Sequence, residues 1–385
     1  MHSRHTLLAL LGLMALSFFA FCLWALSQAM NANVALMQAT GVPPATTVDA
    51  PFVEAWTESV RPPLVHEMAL SPVAKGEFFA LNNDEILKFS ANGARLAKFA
   101  APAKSSRIAT DPTGAMPYLM VVSSSTKWTG AIDYVVTTDY FLQALDAAGR
   151  EVWKKRFDPN DVSWPEPVIS RFNQTPVIVL STGKRIICFD ANGNELWNVA
   201  LWHHPGTVTE APENGGAALL AALAPKREIV GIGTDGTLLK PWAEGDAPRR
   251  FRTMKTQHGL YGVSLRQVFG QGKGVRQAVA FFDSQGTVIR EVELPPDASL
   301  STYSPIGAID VHGSGLRNWV ITLGDGTILV FSSTGQELAR HSTGLRTRTF
   351  LSIPQRNGPD MLITSTSQGI TAWQPVPSRI LALSR

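Results

Sequence analysis

Lys184-Arg-Ile-Ile-Cys-Phe-Asp-Ala-Asn-Gly-Asn-Glu-Leu-Trp-Asn198 is an apolar run, a polar tetrad ending in Gly193, and a second short apolar run. Asp190 can accept hydrogen bonds from nearby backbone N–H groups, and Gly193 can take the positive φ that lets a short loop reverse the chain. The stretch predicts a β-hairpin of strand, tight turn and returning strand. The same pattern recurs at Leu142–Trp153, Ile86–Leu96, Val279–Ile289 and Ile328–Leu338, with a weaker copy at Ile229–Leu239. The turn glycines stand at 93, 149, 193, 236, 286 and 335, at intervals of 56, 44, 43, 50 and 49 residues.

Upstream of each hairpin lie two more strand-like runs, clearest at Pro167–Phe172 and Pro176–Leu180, and again at Ile306–Ile309 and Trp319–Leu323. Four short strands per unit make a propeller blade. A seventh, degenerate unit begins at Ile370-Thr-Ala-Trp373, has Gln374-Pro-Val-Pro377 where the turn belongs, and resumes at Ile380–Leu383. Residues 51–385 thus predict an all-β propeller of about seven four-stranded blades. No blade buries both of its faces alone, so stability requires stacking and closure of the ring. Two closures fit: Phe52–Thr57 joins the last blade from the N-terminal side, or Ile380–Leu383 completes it from its own end.

Composition agrees. Of 385 residues, 45% are hydrophobic and only 17% charged, with 31 Gly and 25 Pro, which favours turns and strands over disorder. A formal charge of +3 is too small to indicate nucleic-acid binding, and none is expected.

Thr6–Leu26 carries no charged residue and is long enough to span a hydrocarbon core. His2, Arg4 and His5 precede it, and no Lys or Arg follows until Arg61, so the charge bias places the N-terminus in the cytoplasm and the rest outside. Residues 1–30 are therefore a transmembrane anchor, or a signal helix cleaved near Ser27-Gln-Ala29. Residues 31–50 read as a flexible linker. Of the two cysteines, Cys22 lies in the apolar segment and Cys188 reads as a buried small hydrophobe, so the propeller can form no internal disulfide.

Phe189-Asp-Ala-Asn-Gly-Asn-Glu-Leu-Trp197 resembles the repeat of PQQ-like, quinoprotein-dehydrogenase-like propellers. The likeness extends over most of residues 51–385 and is sharp near 142–153 and 186–197. It implies the superfamily, many of whose members bind no quinone. No residue set here matches the calcium-held quinone pocket, so neither cofactor nor redox activity is carried over. A second likeness, to calcium-loop propellers of the integrin type, rests on Asp310-Val-His-Gly-Ser-Gly315 and Asn357-Gly-Pro-Asp360, which lack the alternating carboxylates that a hard cation needs. A third is to the barrel-assembly lipoprotein of bacterial outer membranes; Phe21 before Cys22 and seven rather than eight blades count against identity with it.

Gly231-Ile-Gly-Thr-Asp-Gly236 spells a dinucleotide fingerprint, but Pro241 follows too soon for a sustained helix, and Gly236 falls on the repeat's turn position. His203-His204 are adjacent and would face opposite sides of a strand, which reads as a surface loop before Pro205-Gly206. Trp153 and Trp197 occupy equivalent repeat positions and are expected to pack between blades. Lys154-Lys-Arg156 continues a returning strand. The candidate contact for an acidic partner or an anion is the basic run Arg249, Arg250, Arg252 and Lys255, on a connecting loop or an edge strand, where charge can also serve only to protect the edge. No catalytic, metal or cofactor residues are nominated. The expected function is a membrane-anchored, periplasmic protein-binding or scaffolding module of the bacterial inner membrane. The alternative is a propeller enzyme, a hydrolase, lyase or quinoprotein-like oxidoreductase, with its site at the central channel.

Overall fold

A computed structural model describes residues 50–380 apart from 61–64, 83, 103, 112, 130–134, 158–165, 184, 202–204, 215–216, 224–227, 245–249, 270–274 and 296–305. The expected anchor or signal segment, nearly all of the linker, Cys22, His203-His204 and Arg249 lie outside the described residues. Among the described residues, no helix is long and apolar enough to cross a membrane.

Strand β1 (Phe52–Glu58) comes first but belongs to the last blade. Blade 1 follows as β2 (Glu67–Leu70), β3 (Glu77–Leu81), β4 (Glu85–Ser90) and β5 (Arg95–Ala100). Blade 2 is β6 (Ser105–Thr110), β7 (Leu119–Thr129), β8 (Val135–Leu145) and β9 (Glu151–Phe157). Blade 3 is β10 (Glu166–Phe172), β11 (Thr175–Ser181), β12 (Arg185–Phe189) and β13 (Glu195–Ala200). Blade 4 is β14 (Pro205–Asn214), β15 (Ala217–Leu223), β16 (Glu228–Ile232) and β17 (Leu238–Glu244). Blade 5 is β18 (Arg250–Thr256), β19 (Gly259–Phe269), β20 (Val275–Phe282) and β21 (Val288–Glu293). Blade 6 is β22 (Ile306–Ile309), β23 (Asn318–Thr322), β24 (Thr327–Phe331) and β25 (Glu337–Ser342). Blade 7 takes β26 (Thr349–Ile353), β27 (Met361–Ser365) and β28 (Ile370–Pro375), with β1 as its fourth strand.

The chain therefore forms the seven four-stranded blades that the repeat predicts. All pairings are antiparallel, and the first strand of each blade touches the first strands of its two neighbours, including β2 against β26. These seven inner strands surround the axis. Because each blade holds an even number of antiparallel strands, all seven run the same way and begin at the same face.

Closure uses the N-terminal segment: β1 pairs with β28 from Phe52↔Pro375 to Glu58↔Ile370. The other closure, a returning strand from Ile380, is corrected by the structure. Past β28 the chain enters a short 3-10 helix, Pro377–Arg379, and the edge of β28 is already occupied by β1. Pro375 and Pro377 lack N–H groups and Gly is absent, so no tight turn forms there.

The buried hydrophobic side chains fall into seven clusters, each between two adjacent blades. Strands β11, β12, β23 and β24 are buried on both faces, as stacked sheets require. Cys188 sits in the cluster between blades 3 and 4, fully buried, and desolvation followed by the nearby Asp190 charge pushes its thiol up to about 12.

All six predicted turn glycines have φ between +77° and +86°. At Gly193 the turn closes as expected: Asp190 Oδ1 accepts the N–H groups of Asn192 and Asn194, and Gly193 donates to the Asp190 carbonyl. Each turn also receives an aromatic side chain from the blade before it. Trp197 lies so close to Gly236 that a Cβ there would stand 2.9 Å from the indole, and its Nε1–H donates to the Thr234 carbonyl at 2.8 Å. Trp153 does the same against Gly193 and Ala191, and Trp56 of β1 against Gly93 and Ala91. The two repeat tryptophans are inter-blade locks, as predicted. Gly236 ends the β16–β17 hairpin, and Gly233 donates to the Thr237 carbonyl, so the dinucleotide-like spelling is a strand turn.

Candidate functional site

The inner strands bring charged side chains to the axis at the face where those strands begin. Glu166, the first residue of β10 in blade 3, meets Arg252 Nη2 at 3.2 Å and Arg250 Nη1 at 3.7 Å, both from β18 in blade 5. Blade 4 stands between these strands in the ring, so the bridge crosses the channel itself. Arg107 of blade 2 contacts Glu67 of blade 1 at 3.2 Å, and its charge also acts on Glu166. Four of the seven blades thus contribute to one cluster of three arginines and two glutamates at the channel mouth.

The electrostatics follow from crowding in a narrow opening. Desolvation works against the Glu166 carboxylate, but Arg252, Arg250 and Arg107 outweigh it and hold the group below the usual range. Arg250 is drawn below its ordinary value by desolvation first, opposed by Glu166. Glu166 retains 16% side-chain exposure, which leaves the cluster reachable by water from the mouth. Removing one member of such a partly enclosed set strands its partners, at a cost of about 3–5 kcal/mol where burial is complete and less here.

The basic run is thereby placed. Arg250, Arg252 and Lys255 lie on the inner edge strand of blade 5, with Arg250 and Arg252 turned into the channel toward Glu166. Lys255 is exposed, five residues further along β18 than Arg250. Sequence reading missed Glu67, Arg107 and Glu166. Their shared signal is a charged residue in the first strand of a unit, where third strands such as Ile86–Phe89 and Ile328–Phe331 are almost wholly apolar.

Past the far end of β6, between blades 2 and 3, the buried Asp111 carboxylate is met by Arg171 at 3.2 Å and by the N–H groups of Thr113 and Met116. Burial pushes its pKa up, but hydrogen bonds from Thr113 and Met116 and the Arg171 charge prevail and lower it. Glu210 of blade 4 behaves oppositely. Desolvation and the Asp111 charge raise it, against a hydrogen bond with Ser170 and the charge of Arg171.

Other sequence candidates resolve into structure. The two loops likened to calcium sites tie up their carboxylates: Asp310 accepts the N–H groups of His312, Ser314 and Gly315, and Asp360 accepts from Ser352 and from the Asp310 N–H. Among the described residues, no group of three or more His, Cys, Asp or Glu is placed to hold a metal ion. Lys154 lies 4.4 Å over the Phe141 ring, Lys155 donates to the Gly193 carbonyl, and Arg156 pairs with Asp139. A polar groove of about 420 Å³ beside blade 2 includes Ser123, Gln143, Glu151 and Lys154, with Ser123 donating to Gln143 and Gln143 to Glu151.

No protein-family model matches the chain, and no curated protein matches it. Solved structures match in fold. BBS1N in complex with ARL6DN aligns with a TM-score of 0.58 at 14% identity, over 86% of this chain and 98% of that one. The Pan2 WD40 domain of Neurospora crassa aligns at 0.55 and 12% identity, over 86% and 98%. BamB from Moraxella catarrhalis aligns at 0.49 and 15% identity, over 80% and 83%.

Proposed function

We propose that the chain is a protein-binding scaffold of the bacterial cell envelope, held in the inner membrane by its N-terminal segment with the propeller in the periplasm. The observation that carries the scaffold reading is the Glu166 bridge across the channel. Ion pairs occupy the axis at the mouth, where a propeller enzyme would seat its substrate, and the rigid loop faces around the mouth are left as the recognition surface. BBS1N, a propeller of similar fold, is seen in complex with ARL6DN, which illustrates this use of the architecture. The location rests on the uncharged Thr6–Leu26 and the flanking charge bias, and the PQQ-like character rests on the repeat spelling.

Crosslinking in intact envelopes, followed by identification of the captured proteins, tests the scaffold. A stable partner is expected; turnover of a small molecule without any partner would overturn the reading. Fractionation and N-terminal sequencing of the mature chain test the anchor, with an intact Met1 or Met-processed terminus in the membrane fraction expected.

A second reading has its own observation. Asp111 and Glu210, both acted on by the Arg171 charge, are shifted in opposite directions, the pattern of an acid and a base. On this reading Glu210 donates a proton, and Glu210→Gln abolishes a hydrolytic activity detected in a substrate screen. A screen on which wild type and variant behave alike removes it.

A further inference from the structure

The sequence carries Asn-Gly four times, at 92–93, 192–193, 214–215 and 357–358, and Gly215 lies outside the described residues. Asn-Gly is a reactive pair because glycine has no side chain to shield its amide nitrogen from the carboxamide before it. The fold places the other three pairs in two different settings.

Asn92-Gly93 and Asn192-Gly193 stand in the hairpin turns of blades 1 and 3. The Gly193 N–H donates to the Asp190 carbonyl at 3.1 Å, and the Asn192 and Asn194 N–H groups both donate to Asp190 Oδ1 at 2.8 Å. The Trp153 indole covers this glycine, 3.0 Å from where a Cβ would stand. In blade 1 the Gly93 N–H donates to the Ser90 carbonyl at 3.0 Å, Asn92 Oδ1 accepts from the Ser90 hydroxyl, and Trp56 lies over Gly93. In both turns the amide nitrogen is committed to a backbone bond beneath an aromatic ring.

Asn357-Gly358 belongs instead to the loop between β26 and β27 of blade 7, and both residues are exposed. Among the described residues, neither the Gly358 N–H nor the Asn357 carboxamide has a hydrogen-bond partner, and nothing packs within 4 Å of a Cβ built at Gly358. The nucleophile and the carbon it would attack are therefore both free, as they are in neither turn.

We infer that Asn357 is a site of spontaneous covalent modification, at which asparagine becomes aspartate and isoaspartate while Asn92 and Asn192 persist. The Gly358 nitrogen attacks Asn357 Cγ as its proton passes to solvent. The Cγ–Nδ2 bond breaks, the nitrogen takes up a proton and leaves as ammonia, and a succinimide ring remains. Water opens the ring at one carbonyl to give aspartate, or at the other to give isoaspartate, in which the main chain runs through the β-carboxyl. Nothing is oxidised or reduced.

The loop also holds two blades together, so the two products differ in effect. The Asp360 N–H donates to the Asp310 carbonyl at 2.8 Å, and Asp360 Oδ2 accepts from the Asp310 N–H and the Ser352 hydroxyl. Gly313 of blade 6 lies so close that a Cβ there would stand 2.5 Å from the Gly358 carbonyl carbon. Isoaspartate adds a methylene to the main chain beside this contact and loosens the junction of blades 6 and 7, whereas aspartate adds only a charge. The inference is independent of what the propeller binds.

The test ages the full chain in neutral detergent in warm, mildly alkaline buffer and follows each Asn-Gly peptide by mass spectrometry, with electron-transfer fragmentation to identify isoaspartate. Freeing Gly193 requires local opening of three hydrogen bonds, each worth about fivefold in an equilibrium, so Asn357 is expected to convert about a hundredfold faster than Asn192. In guanidinium chloride the protection is gone, and Asn92, Asn192 and Asn357 are expected to convert at similar rates. Equal rates at the three sites in the folded chain, Asn92 or Asn192 converting ahead of Asn357, or an unchanged ranking in denaturant would each overturn the inference. Asn357→Asp is expected to melt with wild type and the purified isoaspartyl form below it. An isoaspartyl form that melts with wild type would overturn the effect on the blade junction.

Discussion

His341 offers the sharpest test of how this ring is held together. It lies on β25 at the junction of blades 6 and 7, only 8% exposed, with its ring 5.6 Å from Phe52 of β1 and 5.0 Å from Trp373 of β28. Its Nε2 is buried without a hydrogen-bond partner among the described residues. Desolvation lowers the imidazole from 6.5 to about 4, so the folded chain keeps it neutral where the unfolded chain protonates it. The resulting stability is complete above pH 6.5 and is lost as the pH falls from there toward 4, at about 1.4 kcal/mol per pH unit. Between pH 7.5 and 5.0 the loss from this one group is about 2 kcal/mol, or about 3 °C in Tm for a chain of this size. Carboxylates such as Asp111 and Glu166 also respond to acid, so the informative quantity is a difference between two proteins. His341→Leu removes the titrating group and the orphaned nitrogen, and is expected to melt at or slightly above wild type at pH 7.5. By pH 5.0 it is expected to have lost about 3 °C less than wild type. Parallel melting temperatures for the two proteins across this range would refute the argument.

Gly236→Ala is expected to cost about 2 kcal/mol or more in urea unfolding, because φ is +86° and the new Cβ meets Trp197, whereas Gly315→Ala, at φ +80° with open space, should cost only the backbone part of about 1–2 kcal/mol. Equal losses at the two sites would show that the tryptophan lock contributes nothing. In a Cys22→Ser background, Cys188 is expected to resist a maleimide in the native state and to take up one equivalent in denaturant, since it is fully buried with its thiol raised to about 12. Rapid native labelling would contradict its place between blades 3 and 4.

The fold was largely legible because one short-range signal recurs. Asp190 and Gly193 specify a turn by local hydrogen bonding and φ alone, and the same chemistry at Asp146, Asp283 and Ser332 marks the other hairpins without reference to distant residues. Trp153 and Trp197 were readable for the same reason, because equivalence within the repeat implies equivalence in packing. Closure was not decidable that way. Phe52–Thr57 and Ile380–Leu383 both carry apolar residues fit for an outer strand, and the choice depends on the Phe52↔Pro375 register more than three hundred residues away. The charge cluster was hidden by distance as well. Glu67, Arg107, Glu166 and Arg250 stand on four different blades, and only curvature into a ring makes neighbours of residues from blades 3 and 5. The basic run could be singled out in the sequence, but its acidic counterpart could not.

The pairing of β1 with β28 sets an order of events during synthesis. Glu58 leaves the ribosome 312 residues ahead of Ile370, and at about 5–20 residues per second the interval is about 15–60 s. Throughout that time blade 7 consists of its outer strand alone, the first blade has no seventh neighbour, and Phe52, which buries between blades 6 and 7, has nowhere to pack. The nascent chain must therefore remain an open, sticky arc until its final strands appear, which makes it a client for holding chaperones and makes C-terminal truncation before Pro375 more damaging than the few lost residues would suggest.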